Sequence, residues 1–350
     1  MRKETIILTL ALAAAIMTGR SQTPSGDLLI KKQGVFSSGG SVTAPVPGNY
    51  DATKNWLDMT RSGNTAHVDH ANTFYQIPAK VTGKPMVFLH GYGQSRTGWQ
   101  TTPDGREGWS DIFLRKGHAV FLVDQPRRGA AGSTAVMTTD ALDADSNRYK
   151  PGDQAWYTHF RIGRVAPDRY PGSQFPAGEE AQYQFFCQMT PNTGSYDEKL
   201  FGQALGAVLS DVHKLTGSKV VYVTHSQGGR VGWQTATDNM AAIVAVEPGG
   251  APQKGSAEYE RLLKARIPIL FLFGDNIANG PADIQSTAFW QAVLKQCRDF
   301  AASYNADGGE ATVVSLPDEG IHGNSHFMFE ELNNGQIADL VESWLKRHNL

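Results

Sequence analysis

Lys219-Val220-Val221-Tyr222-Val223-Thr224-His225-Ser226-Gln227-Gly228-Gly229 is the stretch from which the architecture can be read. It begins as a run of β-branched and aromatic residues after Gly217 and stops at the Gly228-Gly229 pair, the pattern of a buried parallel strand. Beyond Ser226 the residues become small and polar, and residues 230–240 carry helical spacing. A strand, a tight turn bearing a serine and a helix together make a nucleophile elbow, the device that exposes a reactive hydroxyl at the end of a sheet. The usual elbow reads G-x-S-x-G; here Thr224 stands where the first glycine would be, and Gly228 keeps the last. A serine at a strand end is ordinarily a surface residue, so the reading rests on what the remaining chain supplies.

The same alternation extends on both sides. Upstream, residues 84–90 (KPMVFLH) read as a strand ending in Gly91-Tyr92-Gly93-Gln94-Ser95, and residues 119–123 (AVFLV) as another ending in Asp124-Gln125-Pro126. Between them, residues 108–116 place Trp109, Ile112 and Phe113 on one side of a short helix that Gly117 stops. Residues 197–215 carry an apolar stripe through Phe201, Leu205, Val208 and Val212, a helix packed on a sheet. Downstream, strands at 242–246, 267–273 and 311–316 alternate with helices near 258–265, 283–304 and 336–348. Such a chain predicts an α/β fold with a mostly parallel central sheet covered by helices on both faces. A short strand at 28–31 and loosely alternating edge strands at 63–78 precede it, and no internal repeat is present.

Residues 133–196 interrupt the rhythm. They combine many Pro, Gly and Asp residues with Trp156, Tyr157, Phe160, Tyr170, Phe175, Tyr183, Phe185 and Phe186. A long stretch without strand periodicity inside a compact domain is usually a lid or binding insertion. The aromatic content argues against a disordered linker. The expected organisation is therefore a signal segment at 1–20 and one domain at 21–350, with a cap inserted at about 133–196.

Composition narrows the function classes. The 350 residues carry a formal net charge of -2, and a basic pair such as Arg127-Arg128 is too small for a phosphate-binding patch, so nucleic-acid binding is excluded as an expectation. Met1-Arg2-Lys3 followed by an apolar run at 6–17 and small or polar residues reads as an export signal. That run falls short of the about 20 residues that span a bilayer. Arg20 occupies the position where lipidation would need a cysteine, so no membrane anchor is expected. Cys187 and Cys297 are the two cysteines, and neither their pairing nor a zinc site can be read from their spacing. His67 and His70, three apart on a weak strand pattern, read as exposed polar residues rather than a metal pair.

In open α/β sheets the site lies beyond the carboxyl ends of the strands. The polar residues found there are His90, Asp124, Ser226, Glu247 and Asp275, with His322 and His326 after the last strand. Nucleophile, acid and histidine follow one another in that order, which is the order of the α/β-hydrolase fold. The chain resembles the α/β-hydrolase superfamily from about residue 84 onward, and within it is similar to the esterase-713-like bacterial esterases. The residues that carry the resemblance are His90-Gly91, Val123-Asp124-Gln125-Pro126, Thr224-His225-Ser226-Gln227-Gly228, Val246-Glu247-Pro248-Gly249 and Gly323-Asn324-Ser325-His326 with Asn333-Asn334. That group also lacks the first elbow glycine. Some members carry adjacent cysteines after the His-Gly pair, where this chain has Tyr92-Gly93, so a disulfide there does not carry over.

Ser226 is the candidate nucleophile, and a hydroxyl of ordinary acidity needs a base to take its proton. That base is His326 or His322, the resemblance favouring His326. The acid is Glu247 or Asp275: Asp275 follows the next-to-last strand, the commoner position, whereas the resemblance favours Glu247. With Glu247 as the acid, Asp275 would serve as a turn or cap residue satisfying backbone N–H groups. The backbone N–H groups of Tyr92 and Gln227 form the expected oxyanion hole, each worth about 3–4 kcal/mol to a tetrahedral intermediate. The expected activity is a secreted serine carboxylester hydrolase acting on a small-molecule ester, with no metal and no organic cofactor. A binding protein on the same scaffold, or a hydrolase of lactones or amides, is the alternative. The resemblance also implies a homodimer.

Overall fold

A computed structural model of the chain describes residues 26–44, 46–53, 62–132 and 152–350. The expected signal segment at 1–20 and the first part of the expected insertion, 133–151, lie outside the described residues. Among the described residues eight strands form one sheet: β1 (Ile30–Thr43), β2 (Ala66–Pro78), β3 (Met86–Leu89), β4 (Val120–Asp124), β5 (Val220–His225), β6 (Met240–Val246), β7 (Ile269–Phe273) and β8 (Ala311–Ser315). Their order across the sheet is β1-β2-β4-β3-β5-β6-β7-β8. β1 pairs antiparallel with β2 and β2 with β4, and every later pairing is parallel.

The interior strands β3, β4, β5 and β7 are buried along their whole length, as continuous apolar runs covered on both faces must be. One face carries helices α4 (Glu198–Thr216), α5 (Gln227–Gln234), α6 (Ala257–Ala265) and α7 (Gln285–Ala306) over a core that includes Leu205, Val208, Phe271 and Phe300. The other carries α1 (Trp109–Arg115) and α8 (Asn334–Arg347) over Phe88, Trp109, Val244 and Trp344. Asp197 starts α4 by accepting from the backbone N–H groups of Lys199 and Leu200, and Gly217 ends it in a left-handed turn.

Three elements differ from what sequence spacing predicts. β1 runs over Ile30–Thr43 rather than four residues, because an edge strand with one exposed face is held by its pairing with β2 and needs few apolar side chains. Phe36 is the anchor, packed on Tyr75 and Phe121 at ring separations of 5.9 and 6.5 Å. Residues 63–78 supply one long strand, β2, instead of several. The elbow helix α5 spans Gln227–Gln234, not 230–240, since Thr235 turns extended and the apolar run from Met240 joins the sheet as β6.

The segment 152–196, between β4 and α4, contains α2 (Asp153–His159) and α3 (Glu179–Cys187). Its aromatic residues Trp156, Tyr157, Phe175 and Phe185 are buried in the same cluster as Phe327 and Phe329, from the loop after β8. Phe185 meets Phe327 at 4.9 Å, edge to face. Cys187 is exposed and Cys297 buried, and both thiols are free. Among the described residues no helix is long and apolar enough to cross a membrane.

Helix α5 sits very close to the end of β3. A Cβ on Gly228 would lie 2.5 Å from the carbonyl oxygen of His90, a rigid backbone atom. Gly228→Ala is therefore expected to push the helix off the sheet and destabilise the fold by about 1–3 kcal/mol, read as a lower thermal unfolding midpoint.

Candidate active site

The serine turn is built under strain. Ser226 leaves β5 with φ 54° and ψ −123°, a conformation that side chains rarely adopt and that costs about 1–3 kcal/mol. The surroundings hold it there: its N–H donates to Val246 O, and its own carbonyl accepts from Gly229 N and Gly249 N. Gly91 lies directly against it, where a Cβ would come within 2.8 Å of Ser226 Cβ. The loop carrying Tyr92 can approach the serine this closely only because position 91 lacks a side chain. Gln94 fixes that loop, its Oε1 accepting from Gly91 N at 2.9 Å and meeting His225 Nδ1 at 2.9 Å. Gln227 is the first residue of α5, so its N–H has no intrahelical acceptor.

His326 and Glu247 are joined in the buried space beside this turn. His326 Nδ1 donates to Glu247 Oε2 at 2.6 Å, and both side chains are wholly buried. A carboxylate only accepts, so the ring proton sits on Nδ1 and the lone pair on Nε2. Nε2 is buried and, among the described residues, has no hydrogen-bond partner. The ring is clamped by stacking on Phe160 at 4.5 Å and by Trp290 and His225, both at 4.4 Å. Burial lowers its pKa; Glu247 opposes this and Arg161 reinforces it. The imidazole is thus neutral, as a base must be, below the ordinary range.

Glu247 directly follows β6, with φ 40°. Burial alone would raise its pKa, but the Arg161 guanidinium and His326 outweigh it and hold the carboxyl at about 2. Its Oε1 accepts from Gly274 N at 2.7 Å, and Arg161 Nη2 reaches Oε1 at 2.5 Å and Oε2 at 2.7 Å. Asp275 is placed differently. Its carboxylate accepts from Asn276 N and Gly323 N, and the exposed His322 stands 3.4 Å from it. Of the alternative pairs, His326 with Glu247 meets inside the protein, and His322 with Asp275 meets at its surface.

Other polar strand-end residues have structural partners. Asp124 accepts from the backbone N–H groups of Arg96 and Ala130. His90 Nδ1 donates to Gly91 O, and its Nε2 accepts from Gln125 N. His67 and His70 lie on β2, and among the described residues no group of three or more His, Cys, Asp or Glu is placed to hold a metal ion. Arg161, Phe160, Gln94 and His225 were not legible as site residues in the sequence. Nothing in the spacing of 152–196 marks Arg161, and His225 reads as the end of a strand.

Across 95% of its length the chain superposes on all of a bacterial esterase of known structure, with a TM-score of 0.77 and 33% sequence identity. The chain belongs to the α/β-hydrolase superfamily. It is a carboxylesterase-type hydrolase. The probable secreted lipase phiG of a fungal species (strain ATCC 74256) is 28% identical over 313 residues, covering 75% of this chain and 82% of the lipase. No family model matches the chain.

The esterase also buries two adjacent acids behind its site. Glu331 accepts from Ser325 N and Asn324 Nδ2, yet burial lifts its carboxyl to about 7. Glu330 is raised well above the ordinary value by burial and by Glu331, and among the described residues neither of its oxygens has a partner. A carboxyl raised on folding holds a proton that the unfolded chain releases above about pH 4.3. Its contribution is therefore complete at low pH and lost as pH rises, at up to about 1.4 kcal/mol per unit. Below about pH 6.5 the buried His90, His225 and His326, whose pKa values burial lowers, act in the opposite sense, so the fall in unfolding free energy should show above about pH 6.5 in the native esterase. Glu330→Gln should flatten that slope, leaving only the part due to Glu331, which ends near pH 7.

Proposed function

We propose that this α/β hydrolase is an exported serine carboxylesterase that acts through Ser226, His326 and Glu247 and an acyl-enzyme intermediate. The observation that carries the reading is the buried His326–Glu247 bond, which leaves Nε2 as an unpartnered base on a ring packed against His225, the residue before the strained serine turn. As the Ser226 Oγ–carbonyl carbon bond forms, the hydroxyl proton passes to His326 Nε2. The carbonyl electron pair moves onto oxygen, where the N–H groups of Tyr92 and Gln227 would receive it. Collapse of the intermediate breaks the bond to the alcohol, which leaves with the proton from Nε2. Water repeats the sequence on the acyl-enzyme and frees the acid. Throughout, Glu247 keeps the imidazole in one tautomer and stabilises its charged form.

Export is supported by the basic and apolar N-terminus and by the name of the fungal relative, a secreted lipase. The substrate class that fits is a small ester with an apolar portion, since the segment 152–196 brings Trp156, Phe185 and Met189 together with Phe327 against Gln94 and Gly98.

Labelling with a fluorophosphonate probe and hydrolysis of p-nitrophenyl esters test the proposal. Ser226→Ala should abolish labelling, and Glu247→Gln should lower kcat by about 10³–10⁴-fold while Asp275→Asn leaves it within a few-fold. If only the Asp275 change abolishes turnover, Glu247 is not the acid. Because His326 must be neutral to act and its pKa is lowered, kcat/KM should hold as pH falls and lose half its value only below about 6.5.

A further inference from the structure

Three consecutive residues at the end of α2 grip the reacting groups. His159 O accepts from Trp290 Nε1 at 3.1 Å, tying the helix end to α7. Phe160 O accepts from His326 N at 3.1 Å, while the Phe160 ring stacks on the imidazole with an interplanar angle of 10°. Arg161 then turns its guanidinium onto the acid. One terminal nitrogen bridges both oxygens of Glu247, and Nε donates to the carbonyl of Asp275 at 3.0 Å. The guanidinium carbon lies 5.3 Å from the Trp290 ring centroid, a further hold on its position. Arg161 itself is buried and adopts φ 65°, so the turn is strained to deliver this one side chain.

We infer that Arg161 is a positioning residue of the esterase: it fixes the carboxylate plane of Glu247 against His326 and links the seating of the segment 152–196 to the competence of the base. This rests on the reading of His326 and Glu247 as base and acid. A carboxylate held at both oxygens cannot rotate, so Oε2 stays in line with Nδ1 and the imidazole keeps Nε2 turned to one place. The cation also acts through space. The charged and titratable groups facing His326 are Glu247 from β6, Arg161 from the segment after α2 and His225 from β5. Glu331 stands behind Glu247, and Asp275 contributes its carbonyl to Arg161 and its carboxylate to Gly323. Arg161 is the fixed positive charge of that set, and it disfavours the imidazolium that Glu247 favours.

The role predicts a response that charge compensation in a merely structural ion pair would not give. Arg161→Gln should lower kcat on p-nitrophenyl acetate by about 10–100-fold, leave KM within about three-fold, and move the acid limb of kcat/KM to higher pH. Arg161→Lys keeps the charge but, with a single nitrogen, cannot hold Glu247 and the Asp275 carbonyl together from one planar group. It should lower kcat similarly but return the acid limb toward the native position. If the Gln variant does not fold, as near-ultraviolet circular dichroism would show, the Lys variant decides alone. A folded Lys variant with native kcat overturns the inference, as does a folded Gln variant with native kcat and an unmoved acid limb. Glu247→Gln assayed beside them separates the two ideas. Loss of turnover there with native Arg161 variants sinks the positioning role alone, whereas native turnover in Glu247→Gln sinks the acid assignment on which it rests.

Discussion

A carboxylate with no exposed surface is the constraint around which the site is arranged. Withdrawing such a charge from water costs several kcal/mol even after relaxation, and it persists only where donors replace the lost solvent. Glu247 finds them on three separate parts of the chain: Gly274 N after β7, Arg161 after α2, and His326 in the loop after β8. Each of these is distant in sequence, so the charge is satisfied only in the complete fold. The result is a carboxyl held at about 2 and a histidine held neutral. Low local polarity strengthens every one of these contacts relative to water, and it makes the loss of any one of them correspondingly costly.

Backbone strain collects at the same place. Ser226, Glu247 and Arg161 all have φ between 40° and 65°, although none is glycine. Strained residues persist where neighbours over-determine them, and here the neighbours are a sheet buried on both faces and two large apolar clusters. Ser226 O alone receives two backbone N–H groups, which secure the turn from both the α5 side and the β6 side. A rigid parallel sheet can therefore present Ser226 and Glu247 in uncomfortable conformations at adjacent strand ends, with Arg161 held against Glu247 from the segment after α2.

Aromatic packing keeps this end of the sheet closed. Phe160, Trp290, His225 and Phe327 surround the His326 ring, and Phe327 continues into Phe185 and Trp156. The aromatic richness of residues 152–196 is thereby put to use in lining and drying the region next to the base. Gln94 and His225 connect the same region to the Gly91–Tyr92 loop by hydrogen bonds, so the two sides of the serine are held by one network.

Sequence by itself determined the α/β alternation, the serine turn and the ordered list of polar residues at strand ends. These are local properties: a continuous apolar run such as 220–223, bounded by turn signals, reads as an interior strand, and small residues at 228 and 229 permit the close turn. The residues that make up the proposed triad were all on that list, and the family resemblance favoured His326 and Glu247, but the residue pattern alone left the choice open. Glu247 and Asp275 stand at equivalent strand ends, and only the folded chain shows that one carboxylate turns inward to His326 while the other accepts backbone N–H groups beside His322. The length of β1 was likewise decided by its partner strand rather than by its Gly and Ser content. Arg161 was illegible because its role has no local signature. A guanidinium meets a carboxylate 86 positions away only once the segment 152–196 is seated, and no periodicity in the sequence encodes that distance.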